Sequence, residues 1–411
     1  MTASPAIDPA RAPWLTADDT RAVLAALTAG GKPARLVGGC VRDALAGRPV
    51  TDIDIATPEP PPRVIELLTA AGLKAVPTGI KHGTVTAVVR GKPFEVTTLR
   101  RDVSTDGRHA VVAFTGDWTE DAARRDFTMN ALSADPDGRV HDPFGGAADL
   151  AAGRVRFVGE PLARIHEDVL RILRFFRFHA NYGKNAPDAA GLAACRELAP
   201  LLPQLSAERV AAELLKLLKA PDAASTVRLM ADTGILAPIL PELTDIERLR
   251  GLQDVEDPAA RDPLLRLLAL LPDDPGVAGA VAERLRLSNA ERERLVAVAG
   301  PPTALWPVHG ERDLRRALHR LGMPVVRDLG LLALARGQGA LGDPALKAAW
   351  SWQPVALPVK GQDAIDLGVP AGPRIGELIG AVDRWWEDGD YRADRAACLA
   401  HLKSLVGKTA T

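Results

Sequence analysis

Leu36-Val-Gly-Gly-Cys-Val-Arg-Asp-Ala-Leu-Ala-Gly-Arg-Pro-Val-Thr-Asp-Ile-Asp54 is the stretch whose reading decides the fold. Residues 34–37 predict a short strand and residues 40–46 a short helix closed by Gly47, with Gly38 and Gly39 at the junction. Lacking Cβ atoms, the two glycines let an anionic ligand approach the backbone closely. The free N–H groups of the helix that follows favour a phosphate there. Arg42, about one turn into that helix, adds a charged fork. A plain strand–turn–helix corner needs the same two glycines, so the residues that follow have to decide between the readings.

Asp52 and Asp54 are two apart on the next predicted strand, so both side chains leave one face while Ile53 and Ile55 leave the other. Two close carboxylates repel each other unless a cation neutralises them. Hard oxygen ligands without a nearby His or Cys point to Mg2+ or Mn2+ rather than zinc. Residues 83–90 and 94–99 predict a hairpin around Gly91-Lys92-Pro93, and Glu95 alternates away from Phe94 and Val96. If that strand neighbours the Asp-x-Asp strand, Glu95 completes a three-carboxylate cluster of the kind that activates a hydroxyl and stabilises a leaving pyrophosphate through two metals. A phosphate turn followed by metal-type carboxylates points to nucleotidyl transfer.

Four motifs then follow in order: Leu-Val-Gly-Gly-x-Val-Arg-Asp with Asp52-x-Asp54, Arg124-Arg-Asp-Phe-Thr-Met-Asn-Ala-Leu132, Asp142-Pro-Phe-Gly-Gly146, and Glu167-Asp-Val-Leu-Arg-Ile-Leu-Arg-Phe-Phe-Arg-Phe178. This series resembles the class II CCA-adding tRNA nucleotidyltransferase and bacterial poly(A) polymerase family. The resemblance implies an α+β N-terminal nucleotidyltransferase (polymerase-beta-like) head followed by all-α neck, body and tail domains. Combined with composition shifts along the chain, it predicts a head over residues 1–148, a neck over 149–216, a body over 217–345 and a tail over 346–411. It implies Mg2+ on Asp52 and Asp54 with Glu95 as the matching third carboxylate. Gly38, Gly39, Arg42 and Arg125 become nucleotide contacts, and Asp168, Arg171, Arg174 and Arg177 take the base-recognition positions of the neck. The implied partners are tRNA, CTP and ATP.

Asp168, Arg171, Arg174 and Arg177 recur every third residue, which places them on one drifting stripe of a predicted helix. A solvated basic face is the common explanation of such a stripe. An Asp among three Arg is instead a donor–acceptor array. Cytosine and adenine both present an amino donor beside a ring-nitrogen acceptor, whereas uracil and guanine present a carbonyl and a ring N–H. Asp168 accepting from the amino group and Arg171 donating to the ring nitrogen would therefore admit C and A and reject U and G, because a mismatch leaves buried polar groups unpaired.

The remaining sequence bounds the partners. The formal net charge is −1 over 411 residues, so RNA contact requires a localised basic patch rather than a global field. Aromatics make up 4%, which makes stacking platforms scarce. Cys40, Cys195 and Cys398 are too far apart for a zinc motif or a disulfide framework and fit a cytoplasmic protein. The first residues lack signal-peptide character, and no apolar run is long enough to span a membrane. Residues 101–109 read as a loop between strands, and residues 127–132 as strand-like. Residues 312–320 predict a basic helix, either an RNA contact or a solvated face; residues 361–376 are turn-rich and resemble the family tail. Trp385 and Trp386 read as packing residues. Nothing in the sequence specifies an oligomeric state.

Within the family, residues 78–84 look more like the CCA-adding branch than the poly(A) branch. Poly(A) synthesis and CC-only or A-only addition stay open, as does a non-catalytic RNA-binding paralogue. A small-molecule nucleotidyltransferase would leave the long helical remainder unexplained.

Overall fold

The computed structural model describes residues 5–105, 110–302, 305–338, 351 and 355–407. The chain forms two compact units, Met1–Pro241 and Glu242–Thr411.

The first unit is built on a seven-stranded mixed sheet of order β3-β4-β5-β2-β1-β8-β9. Its strands are β1 (Arg35–Val37), β2 (Asp54–Thr57), β3 (Lys74–Gly79), β4 (Thr84–Val89), β5 (Lys92–Thr98), β8 (Ser133–Ala134) and β9 (Val140–His141). Only β2 and β5 run parallel. Alternation along the strands sends Leu36, Ile55, Val85, Phe94 and Val96 into one core with Val23 and Leu27 of helix Asp18–Thr28 and Val64 and Leu68 of helix Pro61–Ala70. All of these side chains are at most 1% exposed, each worth roughly 1.5–3 kcal/mol relative to leaving it in water. The opposite face therefore carries the polar residues, Asp54 and Glu95 among them.

Three elements differ from the sequence reading. The Asp-x-Asp strand begins at Asp54, so Asp52 lies on the segment leading into it. Residues 101–105 are not loop but belong to β6 (Arg100–Thr105), which pairs with β7 (Ala110–Phe114) as a separate hairpin; residues 106–109 lie outside the described residues. Residues 127–132 are not a strand; they contain the 3-10 turn Thr128–Asn130. The apolar pattern that mimics a strand there is an aromatic anchor. Phe127 meets Phe157 at 4.9 Å and Phe178 at 5.1 Å, and Phe157 stacks on Phe175 at 5.6 Å. Six aromatic side chains, Phe127, Phe157, Phe175, Phe176, Phe178 and Tyr182, gather where this turn meets the helix Arg171–Tyr182.

The described residues of the second unit contain no strands and a run of helices from Ile246–Val255 to Arg395–Gly407. Its basic helix, Glu311–Leu321, spends its charges internally. Arg316 and Arg320 each donate from Nε to Glu387 at 2.7 Å, and Arg315 Nε donates to Asp390 at 2.9 Å. These arginines clamp the helix Pro373–Asp388, so the charges of residues 312–320 are paired rather than merely solvated. Trp386 is buried and donates from its indole to the Ala393 carbonyl at 2.9 Å, while Trp385 stacks on His401 at 4.2 Å. The proposed boundary between residues 345 and 346 falls outside the described residues.

Burial alone would raise the Glu387 carboxyl, but Arg316 and Arg320 hold it below its ordinary value of 4.5. Its contribution to stability is therefore complete above that value and disappears as the pH falls through the lowered one. Glu387→Ala is expected to destabilise the second unit by about 2 kcal/mol at pH 7, the scale of hydrogen bonds to a charged group discounted for partly exposed partners. Urea unfolding as a function of pH checks this: the gap from the parent protein should close in acid.

Candidate active site

The glycine turn works as a close approach. Gly38 has φ of +68°, and a Cβ there would stand 2.7 Å from Arg125 Nη1. Any other residue would push Arg125 away and strain the backbone. Arg42, on the helix Gly39–Leu45, is locked in place. Its Nε and Nη2 donate to the two Asp43 oxygens at 3.0 and 2.9 Å, and its Nη1 donates to Asn130 Oδ1 at 2.6 Å. The guanidinium also lies 4.7 Å from the Tyr182 ring centre, and the Tyr182 hydroxyl donates to Asp43 at 2.6 Å.

Asp126 holds this corner against the helix Arg171–Tyr182. It accepts from Asn130 Nδ2 at 2.8 Å, from the Phe127 N–H at 2.9 Å and from Arg174 Nε at 2.7 Å. Burial would raise this carboxyl, yet the Arg174 charge and these hydrogen bonds hold it below the ordinary carboxylate range. Arg125 points the other way, donating to the Asn130 carbonyl at 3.3 Å and to Asp121 at 3.4 Å.

Residues 168–177 depart from the continuous stripe read from the sequence. The helix Pro161–Glu167 ends before Asp168, which is extended (φ −155°), and the next helix starts at Arg171. Asp168 is therefore off the helix. Its carboxylate accepts the Leu170 N–H at 3.1 Å and is gripped by Arg209 Nη2 at 3.0 and 2.8 Å. Arg171 spends Nη1 on the Arg164 carbonyl at 2.7 Å and Glu167 at 2.5 Å, and Nη2 on the Arg124 carbonyl at 3.3 Å. That leaves its Nε–H and one Nη2–H without a protein partner among the described residues. Arg177 Nε donates to Glu213 at 2.5 Å.

Gly38, Gly39, Arg42, Arg125, Asp168, Arg171 and Arg174 line one cavity of about 420 Å3. Arg177 is not in that lining; it acts through Glu213, which also lies 3.9 Å from Arg174. The sequence reading missed Arg209, Glu213 and Asn130. Glu213 had a signal: residues 210, 213, 214 and 217 form the apolar stripe of helix Ala207–Leu218, and a carboxylate in a core position calls for a buried cation.

The carboxylates lie one and two strands from the glycine turn. Asp54 and Glu95 are direct partners in the parallel β2–β5 register. Asp54 is half-buried, and its carboxyl is raised by burial first, then by the negative charges of Glu95 and Asp52, with Arg125 opposing. Asp52 is exposed and accepts from Thr51 Oγ1 at 3.1 Å. Among the described residues no group of three or more His, Cys, Asp or Glu side chains is gathered closely enough to cage a metal. The three-residue cluster expected from the sequence is thus an in-register pair with Asp52 beside it. An all-oxygen donor set of like charges fits a divalent hard metal.

A family model for the poly A polymerase head domain matches residues 34–156, and one described as a probable RNA and SrmB-binding site of polymerase A matches residues 188–247. The chain is 42% identical over 414 residues to the CCA-adding enzyme of Geobacillus stearothermophilus, covering 90% of this chain and 93% of that protein. It is 34% identical over 385 residues to the mouse mitochondrial CCA tRNA nucleotidyltransferase 1, covering 90% and 86%. The crystal structure of the Bacillus stearothermophilus CCA-adding enzyme in complex with CTP superposes with a TM-score of 0.79 at 31% identity, covering 98% of this chain and 99% of that one. No helix among the described residues is long and apolar enough to cross a membrane.

Because the Asp54 carboxyl is raised in the folded state, stability of the metal-free protein falls as pH rises through that raised value. Asp54→Asn is therefore expected to stabilise the metal-free protein at pH 7–8 by on the order of 1 kcal/mol, the scale of a partly exposed like-charge pair. Added Mg2+ should raise the melting temperature of the parent protein and leave the variant nearly unmoved, which thermal denaturation with and without chelator checks.

Proposed function

The chain belongs to the CCA-adding tRNA nucleotidyltransferase family, and from that premise we propose that it adds C, C and A to tRNA 3′ ends from CTP and ATP without a nucleic-acid template. The observation that carries the proposal is one cavity bearing phosphate-type donors (Gly38, Gly39, Arg42, Arg125) and a base-reading pair (Asp168, Arg171), next to the Asp54–Glu95 pair.

Arg42 and Arg125 hold the triphosphate, and their protein partners fix them before substrate arrives, so little reorganisation is needed in the reaction. Asp168 has accepting capacity left beside Arg209, and Arg171 has the two uncommitted N–H groups. Together they pair with the amino group and ring nitrogen shared by cytosine and adenine. Arg174 and Arg177 support this edge through Asp126 and Glu213. Asp52, Asp54 and Glu95 are the residues that hold Mg2+; bound there, it supplies activation of the attacking hydroxyl and charge neutralisation on the pyrophosphate. The tRNA 3′-oxygen bonds to the α-phosphorus, the bond to the β-phosphate bridging oxygen breaks, and pyrophosphate leaves. The division into head (1–148), neck (149–216), body (217–345) and tail (346–411) belongs to this proposal, with the tail holding tRNA. So does a cytoplasmic location, in keeping with three buried unpaired cysteines.

The test uses tRNA transcripts ending at the discriminator base, after C, and after CC, incubated with Mg2+ and CTP, ATP or both, with the 3′ ends sequenced. The expected product is C, C and A in order, then arrest. Long A tails would make the protein a poly(A) polymerase, and arrest after CC a partial enzyme. No addition, or addition unaffected by Asp52→Ala with Asp54→Ala, would refute the catalytic reading.

A further inference from the structure

Across the sheet, the polar face reads in one direction. The nucleotide cavity opens at the end of β1, Asp54 follows on β2 and Glu95 on β5. Phosphoryl transfer needs attacking and leaving oxygens roughly in line about the phosphorus. With the triphosphate held on the β1 side, the attacking hydroxyl has to come from the side of Glu95, over β5, β4 and β3.

That part of the sheet is built unlike a buried surface. Thr86 stands directly across from Glu95, and Thr84 directly across from Thr97. Thr78 and Thr86 share a hydroxyl hydrogen bond at 2.8 Å, and Thr84 and Thr97 one at 3.4 Å. All four threonines keep solvent access. The helices that pack on β3, β4 and β5 do so through the other face, where Val85, Ala87, Phe94 and Val96 are buried. At the Thr84 end, the apolar side chains of Ile80 and Phe114 are 46% and 48% exposed. The Phe114 ring lies over Gly83, where a Cβ would meet it at 2.8 Å and the buried Thr98 at 3.5 Å, on the face away from the ladder. Lys81 and His82 are exposed in the same turn.

We propose that this threonine ladder receives the 3′-terminal nucleotides of the RNA primer. The assignment rests on the reading of the protein as a tRNA nucleotidyltransferase and adds the site of its second substrate. Hydroxyls that donate and accept suit ribose 2′-OH and phosphate oxygens without reading a base. Such tolerance is what a primer ending successively in the discriminator base, C and CC requires. Lys81 adds positive charge where the phosphodiester backbone passes.

Two measurements test it. Thr84→Val with Thr86→Val keeps shape and strand preference. The double variant is expected to raise KM for tRNA about tenfold, through loss of two partly exposed hydrogen bonds, with KM for CTP and ATP within about twofold. An unchanged tRNA KM, or a parallel rise for the nucleotides, would overturn the assignment. Independently of turnover, a tRNA ending in 4-thiouridine is photocrosslinked to the full-length protein without nucleotide. Crosslinks are expected within residues 78–86; crosslinks confined to the β1-side cavity or to the second unit overturn it. Crosslinking at the ladder by a protein that adds no nucleotide would refute the enzymatic reading while leaving the RNA site standing.

Discussion

One buried carboxylate organises the first unit of this protein. Asp126 sits between the irregular turn after Arg125 and a helix that carries three arginines, Arg171, Arg174 and Arg177. It accepts from Arg174 of the helix and from Asn130 of the turn, and Asn130 in turn accepts from Arg42 beside the glycine corner. A charge so buried is tolerable only while fully hydrogen-bonded, and removing one partner of such a group costs several kcal/mol. The arrangement therefore has one low-energy form, in which Arg42, Arg174 and the glycine turn converge on a single cavity. The phenylalanine cluster around Phe127 supplies the apolar half of the same junction.

The second organising constraint is electrostatic expense kept at the site itself. The parallel pairing of β2 with β5 sets Asp54 against Glu95, and Asp52 approaches from the preceding segment. No arrangement chosen for stability would place two acids in register and leave one half-buried. The destabilisation is local and is offset by the apolar core on the other side of the same strands, where Ile55 and Val96 have no exposure to speak of. Strand alternation makes this division possible, because one set of residues builds the core while the intervening set is free to be costly and functional.

Much of this was legible in the chain itself. Gly38-Gly39 and the alternation of Glu95 are local signals that survive into the structure, whereas the Asp-x-Asp spacing survives only in Asp54, since Asp52 precedes the strand. Where the reading failed, tertiary partners decided. Asp168 follows the three-residue spacing of the arginines, yet a cap to the Leu170 N–H and the grip of Arg209 from a distant helix draw it off the helix. Residues 127–132 carry strand-like apolar residues because Phe127 anchors an aromatic cluster, not because they pair with a sheet. The basic stretch 312–320 looks like a solvated face until its acidic partners, some 70 residues later, are seen to face it. Periodicity reports which residues share a face of an ideal element; it carries no record of which distant charge will meet them.

The central claim is that protein side chains, fixed in place by ion pairs, choose the base. The most direct measurement is competition kinetics on tRNA ending after CC with ATP against GTP, and on tRNA ending at the discriminator base with CTP against UTP, in the parent protein and in Asp168→Ala and Arg171→Ala. The account predicts that either substitution lowers discrimination by roughly 100-fold or more, because the edge-specific hydrogen bonds are lost, with the overall fold retained. Discrimination left at the parent level in both variants would contradict it and would place the choice of base elsewhere, in the RNA or in another part of the chain.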